Sequence, residues 1–257
     1  MKKLLIIVLT VLLGMPLVAQ EKLFIVFEMM KVDNEQEVAY SETEQFWKKI
    51  HEKRVAAGDI IGWDLWQLLP GGEDQGYQFA TATLYNNAEK MFEDSNLWQR
   101  AKEAYPNMSE EAINEKMNEA SKTRDLAVRI YMELIATTTG DFKMNVGTVA
   151  TMDFMKVDMN NYEAYEKVET QVFMPTHQKM VNAGAKGSWG LARFVVPYGS
   201  DTYASHITVN MFENMKQFLK PYDAGQPTPA QQKAMMDGLK TRDMNFSYLA
   251  RLIETVK

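Results

Sequence analysis

A histidine and two carboxylates in apolar surroundings are the side chains best suited to acid–base chemistry. His206 lies in a strand-like run, where a neutral imidazole can exchange a proton near neutral pH. Glu28 and Asp153 occupy matching positions in two apolar runs, and an unpaired charge there costs several kcal/mol. Each carboxylate must therefore be paired, protonated or in a wet cavity. We take His206, Asp153 and Glu28 as candidate catalytic residues, each a possible general base.

Structural roles are the alternative for the same three residues. His206 could be a core histidine that is hydrogen-bonded to a neighbouring strand. The two carboxylates could instead form ion pairs with an arginine on an adjacent strand, for which the candidates are Arg129, Arg193 and Arg251.

The other two histidines, His51 and His177, fall near the ends of predicted helices. Glu44 and Glu169 precede them by seven and eight residues, which places acid and imidazole ~10 Å or more apart along a helix. This distance excludes a direct dyad. We expect a structural role for both histidines, such as capping a carbonyl or packing beside a tryptophan.

The sequence offers no metal, cofactor or nucleic-acid motif. Zinc-binding histidine spacings are missing, there are no cysteines, and the glycines from Gly71 to Gly76 precede a strand rather than the helix of a phosphate loop. The chain has 28 basic and 34 acidic residues in 257, a net charge of −6, which disfavours a nucleic-acid partner. We predict no metal and no cofactor.

An internal duplication places these residues in a common frame. Met30 to Asp33 recurs 125 residues later as Met155 to Asp158, and other matching pairs follow in the same order. They are Tyr40 with Tyr165, Glu44 with Glu169, His51 with His177, Ala57-Gly58 with Ala183-Gly184, Trp63 with Trp189, and Lys122 to Asp125 with Lys240 to Asp243. The separation is 125 at the tyrosine and glutamate, 126 from the histidine to the tryptophan, and 118 at the last pair.

Each copy has the same predicted order of elements. In the first copy, strand-like runs cover 24–32, 60–69, 77–85 and 124–135, while helical patterns cover about 35–57 and 87–120, with a break at Pro106. This order, β-α-β-β-α-β, forms a four-stranded antiparallel sheet with both helices on one face. The strands are apolar on both faces, so the second copy must cover the face that the helices leave bare.

The predicted fold is therefore α+β, with two ferredoxin-like repeats packed sheet to sheet as a pseudo-two-fold α+β barrel. Repeat 1 covers 20–137, a linker covers 138–146, and repeat 2 covers 147–257. The arrangement resembles the dimeric α+β barrel superfamily in its single-chain, tandem-repeat form, and is most similar to its NIPSNAP-like and antibiotic-biosynthesis-monooxygenase-like groups. The resemblance rests on the element order, the Ala-Gly that ends each first helix, and the repeat.

That superfamily includes cofactor-free monooxygenases, isomerases, haem enzymes and proteins of unknown role, so the resemblance implies a fold and leaves the reaction open. The Gly-x-x-Asp-Gly run of the dye-decolourising peroxidases is missing, and haem is not predicted.

Strand alternation gives a prediction of the barrel lining. We expect Ile207, Val209 and Met211 to meet the helices, and the opposite face of each third strand to point inward. The inward set comprises His206, Thr208 and Asn210, with Phe79, Thr81 and Thr83 in the other copy, and we add Trp63 and Trp189 as ligand contacts.

Three functions fit this lining. The first is the binding of a small apolar or aromatic molecule inside the barrel. The second is a cofactor-independent monooxygenase or isomerase that uses His206 or an acid as general base. The third is a non-catalytic envelope protein with a solid core. The oligomeric state stays open.

Residues 1–19 have the pattern of a secretory signal peptide. Lys2 and Lys3 precede a ten-residue apolar run from Leu4 to Leu13, and cleavage is expected after Ala19. We therefore expect an exported protein, periplasmic or extracellular, that is soluble and has no stable membrane insertion after cleavage.

Overall fold

The computed structural model describes residues 22–72, 75–93, 96–223 and 225–257. The predicted signal peptide, 1–19, lies outside these residues. No helix in the described part of the chain combines the length and the apolar character needed to cross a bilayer.

The first repeat has the predicted order of elements, and its second helical region consists of three helices. Its elements are β1 (Phe24–Lys31), α1 (Glu37–Ala56), β2 (Gly62–Leu69), β3 (Phe79–Tyr85), α2 (Ala88–Phe92), α3 (Leu97–Ala104), α4 (Glu110–Thr123) and β4 (Asp125–Thr137). The break predicted at Pro106 lies between α3 and α4. Ser109 begins α4 because its side chain accepts a hydrogen bond from the Ala112 amide.

The second repeat follows the same order with shorter helices. Its elements are β5 (Val149–Lys156), α5 (Tyr162–Val168), α6 (Met174–Asn182), β6 (Ser188–Val196), β7 (His206–Phe212), α7 (Met215–Phe218), α8 (Pro229–Leu239) and β8 (Asp243–Val256). Thr228 and Gln231 form a capping box at the start of α8. Gly58 and Gly184 follow the first helices with φ of 73° and 66°, a conformation that favours glycine.

A π-helical turn at Glu169–Phe173 joins α5 to α6, whereas α1 is continuous over the equivalent length. The separation between the repeats increases from 125 to 126 residues between Glu169 and His177, inside this helix. A π-helical turn accommodates one extra residue without changing the faces on either side of it. The turn therefore absorbs a one-residue insertion, and both Glu169 and His177 keep the positions of their counterparts in α1.

The eight strands form one closed antiparallel barrel in the order β1-β3-β2-β8-β5-β7-β6-β4. This confirms the predicted α+β barrel. The two repeats also share hydrogen bonds, because β2 pairs with β8 and β4 pairs with β6. Each repeat thus supplies edge partners to the other, and the closed barrel leaves no free sheet edge.

The predicted facing of the third strands was wrong. Ile207, Val209 and Met211 point into the barrel, where they pack with apolar side chains from all eight strands, including Phe27, Trp66, Met132 and Ala250. The opposite face, with His206, Thr208 and Asn210, lies outside the barrel beneath the helices, as do Phe79, Thr81 and Thr83 of β3. The physical reason is that the interior is lined by apolar side chains from all eight strands and offers few partners to a polar group. Polar side chains go to the outer face, where helical polar groups can pair with them.

Candidate functional site

A cleft of about 290 Å³ lies between α1 and the outer face of the first repeat's strands. Helix α1 contributes Glu44, Trp47, His51 and Arg54 from successive turns, which follow one face of the helix. The strands and the residue before β4 contribute further polar groups to the wall of the cleft: Glu28, Thr81, Thr83, Tyr85, Arg124, Arg129 and Tyr131. The cleft therefore brings together several titratable side chains.

Glu44 is the most chemically unusual residue of the cleft. Its side chain is almost fully buried, and Oε1 lies 3.2 Å from Arg124 Nε, at the start of β4. Arg124 Nη1 also donates to the sulfur of Met30 at 3.1 Å. Burial raises the pKa of Glu44 to about 7, and the charge of Arg124 opposes the rise. A carboxyl group with this pKa can both give and take a proton at neutral pH.

Two buried side chains lie beside Glu44 in different settings. The hydroxyl of Tyr40 interacts with the Glu44 carboxyl group, and burial, followed by the charge of Glu44, raises the pKa of Tyr40 well above its usual value, so its hydroxyl stays protonated. The indole Nε1 of Trp47 is buried without a hydrogen-bond partner among the described residues. A buried donor of this kind is uncommon in folded proteins and is often completed by a water or a ligand.

Glu28 has the structural partner that the sequence suggested. Arg129 Nε donates to Glu28 Oε1 at 2.7 Å, and Thr81 Oγ1 donates to Oε2 at 3.2 Å. The pair lies on the outer face of the barrel and borders the cleft. It therefore adds a fixed positive and a fixed negative charge to the wall.

His51 packs against Trp63, as predicted. The two rings are stacked with centroids 4.8 Å apart, and Arg54 Nη1 lies 3.0 Å from His51 Nδ1. Burial, with a contribution from Arg54, holds the pKa of His51 well below its usual value, so the ring is neutral. Because the guanidinium can only donate, Nδ1 accepts and the proton of His51 resides on Nε2.

The second repeat contains the same core of residues in a different electrostatic setting. Arg242 Nε lies 3.3 Å from Glu169 Oε1, and His177 stacks on Trp189 with centroids 5.1 Å apart. Lys186 lies beside His177 where Arg54 lies beside His51. Its ammonium group is 2.9 Å from His177 Nδ1 and donates to Asn210 Oδ1 at 2.6 Å.

Asp153, the counterpart of Glu28, has hydroxyl and amide partners in place of an arginine. Asn210 Nδ2 donates to it at 3.0 Å, and the hydroxyl of Ser247 also donates to it. Arg193 and Arg251, which the sequence offered as partners, form no ion pair with it in the described part of the chain; Arg193 pairs with Glu133 and Glu166 instead.

His206 is fully buried and occupied at both ring nitrogens. Ser205 Oγ lies 3.0 Å from Nδ1, and Glu166 Oε1 lies 3.2 Å from Nε2. The rings of Tyr162 and Tyr165 pack against the imidazole in T-shaped contacts. Burial lowers the pKa of His206, although Glu166 opposes the effect. This is the environment of the hydrogen-bonded core histidine that we considered as the alternative.

A second cavity, of about 240 Å³, lies inside the barrel. Its lining is almost entirely apolar and includes Ile25, Phe27, Trp66, Met132 and Met152, while Trp189 borders it. Asp64 on β2 is the one charged side chain of this lining.

Asp64 is 2% exposed and fully paired. Thr255 Oγ1 donates to Oδ1 at 2.7 Å, and the ammonium group of Lys257 lies 2.8 Å from both carboxylate oxygens.

Sequence reasoning missed the groups that these two spaces bring together. Tyr40, Glu44 and Arg124 were visible only as matching positions of the duplication, although identical residues at three polar positions were a signal that they contact one another. Asp64 was visible as a single acid between Trp63 and Leu65 in an apolar strand. No group of three or more histidine and acidic side chains in the described part of the chain is arranged to hold a metal ion.

No model of a known protein family matches the sequence, and no curated protein is similar to it. Similar solved structures do exist. A proposed monooxygenase of Fusobacterium nucleatum is 8% identical with a TM-score of 0.55, over 91% of this chain and 93% of that one. A proposed monooxygenase of Lactobacillus acidophilus is 10% identical with a TM-score of 0.53, over 93% and 97%.

An anthrone oxidase-like protein is 10% identical with a TM-score of 0.56, over 93% of this chain and 94% of that one. At these identities the likeness concerns the fold, and it extends over nearly all of each chain. Together with the closed eight-stranded sheet, it identifies the chain as having the dimeric α+β barrel fold, with both halves of the barrel in one polypeptide.

Proposed function

We propose that the cleft beneath α1 is an acid–base site and that the protein is an oxygenase or isomerase acting on a small aromatic molecule. The observation that carries the proposal is Glu44, a buried carboxyl group with a pKa of about 7 at the wall of a cavity. Such a group can remove a proton from an activated C–H or O–H bond, and Arg124 beside it can stabilise the negative charge that forms.

The surroundings of Glu44 support binding of a partly polar substrate. The indole Nε1 of Trp47 is a donor without a partner among the described residues, and it could hydrogen-bond a phenolic or carbonyl oxygen. Trp47, Trp63 and His51 add aromatic surface against which a ring could pack. The neutral His51 would supply a further donor through Nε2.

Glu44 replaces His206 as the proposed base. His206 lies beneath α5 with both nitrogens occupied, whereas Glu44 borders open space. The enzyme class is supported by the shared fold of the proposed monooxygenases and of the anthrone oxidase-like protein.

An oxygen-uptake assay tests the proposal, with an anthrone as the first substrate because of the anthrone oxidase-like neighbour. Oxidation of the anthrone by one O2 gives the quinone and one water, and it begins with loss of a proton from the ring carbon. We expect Glu44→Gln to lower kcat by about 10²–10⁴-fold. The repeat-equivalent Glu169→Gln is the matched control and should retain activity. Equal rates for the wild-type protein and Glu44→Gln would exclude Glu44 as the base.

A second candidate function is the binding of a small apolar molecule inside the barrel. It is favoured by the 240 Å³ cavity, whose lining is apolar apart from Asp64 and two hydroxyl residues, Thr137 and Ser188. Apolar cavities of this size accept small aromatic molecules. A neutral aromatic probe such as 2-phenylethanol should quench the fluorescence of Trp66 on binding, and Ala82→Phe, which fills the cavity, should abolish the effect.

We further propose that either function operates after export, because the predicted signal peptide would direct the chain out of the cytoplasm.

A further inference from the structure

Among the described residues that line the barrel cavity, Asp64 is the one carboxylate in largely apolar surroundings. Asp64 alternates along β2 with Trp63 and Leu65, which face the helices, so its side chain shares the inner face with Trp66. Its paired residues on the neighbouring strands are Ala82 and Thr255. An ionised carboxylate in such a place needs a cation or several hydrogen-bond donors.

Lys257 supplies that cation, and it does so from the boundary with solvent. Its side chain is 43% exposed, against 3% for Asp64. The side chain of Lys257 passes directly over Gly62, where an added Cβ would lie 3.2 Å from both Cδ and Nζ of the lysine. A glycine at this position allows the lysine to lie close to the backbone of β2 and to place its ammonium group on Asp64.

This arrangement is that of a bound primary amine: an ammonium group on a buried carboxylate, beside an apolar space. The lysine leaves the 240 Å³ cavity itself open. A ligand with an ammonium group could replace that of Lys257 without a change in net charge. Its hydrocarbon part would then fill the cavity, whereas the half-exposed lysine could return to solvent.

We infer that the barrel cavity binds small apolar primary amines, with the ammonium group on Asp64 in place of that of Lys257. The inference rests on the second candidate function, since it specifies which apolar molecules the cavity prefers. Phe27 and Trp66 in the lining offer aromatic surface to such a ligand. Thr255 continues to donate to Asp64 when the amine is bound, so one carboxylate oxygen remains partly satisfied.

Two probes of equal size test the inference: 2-phenylethylamine and its neutral analogue 2-phenylethanol, each titrated into the full chain by calorimetry. We expect the amine to bind more tightly than the alcohol. Asp64→Asn should weaken binding of the amine by about tenfold or more and leave the alcohol nearly unchanged.

The variant Lys257→Met should change the affinity for the amine in the opposite direction. It removes the competing ammonium group from a partly exposed position, so the amine should bind more tightly while the alcohol is unaffected. Lys220→Met, an exposed lysine remote from the cavity lining, is the control and should change neither affinity. If Asp64→Asn does not fold, Lys257→Met decides the matter.

The outcomes distinguish the preference for amines from binding in the barrel cavity as such. Equal affinities for amine and alcohol in the wild-type protein, or weaker binding of the amine by Lys257→Met, would overturn the amine preference and leave barrel binding intact. If neither probe binds at millimolar concentration, both the amine preference and the second candidate function fall.

Discussion

Glu44 combines two opposing influences on one carboxyl group. Its burial disfavours the charged form, while the guanidinium of Arg124 at 3.2 Å favours it. Burial is the larger effect, and the pKa rises to about 7. A buried carboxyl group with such a pKa lowers the free energy of unfolding at neutral pH, so stability does not explain its presence. Such groups are concentrated in functional sites, which is why we place the chemistry there.

The raised pKa predicts how stability depends on pH. Between pH 4.5 and 7 the folded protein holds the Glu44 proton more tightly than the unfolded chain, so the free energy of unfolding falls as the pH rises through this range. The contribution of this group is on the order of 3 kcal/mol. Glu44→Gln imitates the protonated form, and it should therefore gain stability relative to wild type on going from pH 5 to pH 8.

Urea denaturation at the two pH values measures the effect, and comparing the change between them removes any constant loss from broken contacts. Glu115→Gln, on the exposed face of α4, is the control. An identical pH dependence in wild type and Glu44→Gln would mean that Glu44 titrates like an ordinary carboxyl group.

At the scale of elements, the first helix of each repeat positions a buried tyrosine, a buried glutamate and the histidine. In α1 an unbroken helix carries Tyr40, Glu44 and His51, and in repeat 2 the π-helical turn at Glu169–Phe173 lies between the last two equivalents. One residue corresponds to about 100° of rotation in a regular helix. Without the turn, the inserted residue would move His177 away from Trp189.

Because the π-helical turn absorbs the inserted residue, we expect different outcomes for two single-residue deletions. Deleting the exposed Gln171 should convert the π-helical turn to regular helix and preserve the stack of His177 on Trp189, at a small cost in stability. Deleting the exposed Lys49 from α1 should rotate His51 and Arg54 out of their places and cost about 3 kcal/mol or more, because it misplaces buried charged groups.

Thermal unfolding compares the two variants, and histidine resonances in NMR spectra report whether each stack is retained. A larger loss for the Gln171 deletion than for the Lys49 deletion would contradict the role assigned to the π-helical turn.

At the scale of the molecule, closure of the barrel makes the two repeats depend on each other. β2 and β4 of repeat 1 have their outer edges occupied by β8 and β6 of repeat 2. The apolar inner faces of both sheets also meet in a single core. A separated repeat would expose this face together with two long strand edges, which are favourable surfaces for association.

We therefore predict that residues 20–137 produced alone will not form a stable monomer. They should dimerise by pairing β2 with β4 of a second copy, or aggregate. Size-exclusion chromatography with light scattering gives the mass directly, and the full chain under the same conditions is the reference. A monomeric half with a cooperative unfolding transition would show that the halves are independent domains.

The sequence alone determined the features that arise from local patterns. Strand alternation, capping residues and the glycines after α1 and α6 depend on neighbours along the chain, and the duplication is visible as repeated letters. From these came the α+β class, the order of elements and the barrel itself. The domain limits and the signal peptide stay predictions.

The tertiary structure decided which face of each strand is inside and which residues meet. Both faces of the strands are rich in apolar residues, so alternation identified two faces without saying which one the barrel encloses. Glu44 and Arg124 are 80 positions apart, and Asp64 and Lys257 are 193 apart. The contact of Glu44 with Arg124 forms because α1 packs on the sheet of its own repeat, and that of Asp64 with Lys257 forms because β2 pairs with β8 in the closed barrel. Burial, rather than residue type, then changes what the carboxyl group of Glu44 can do.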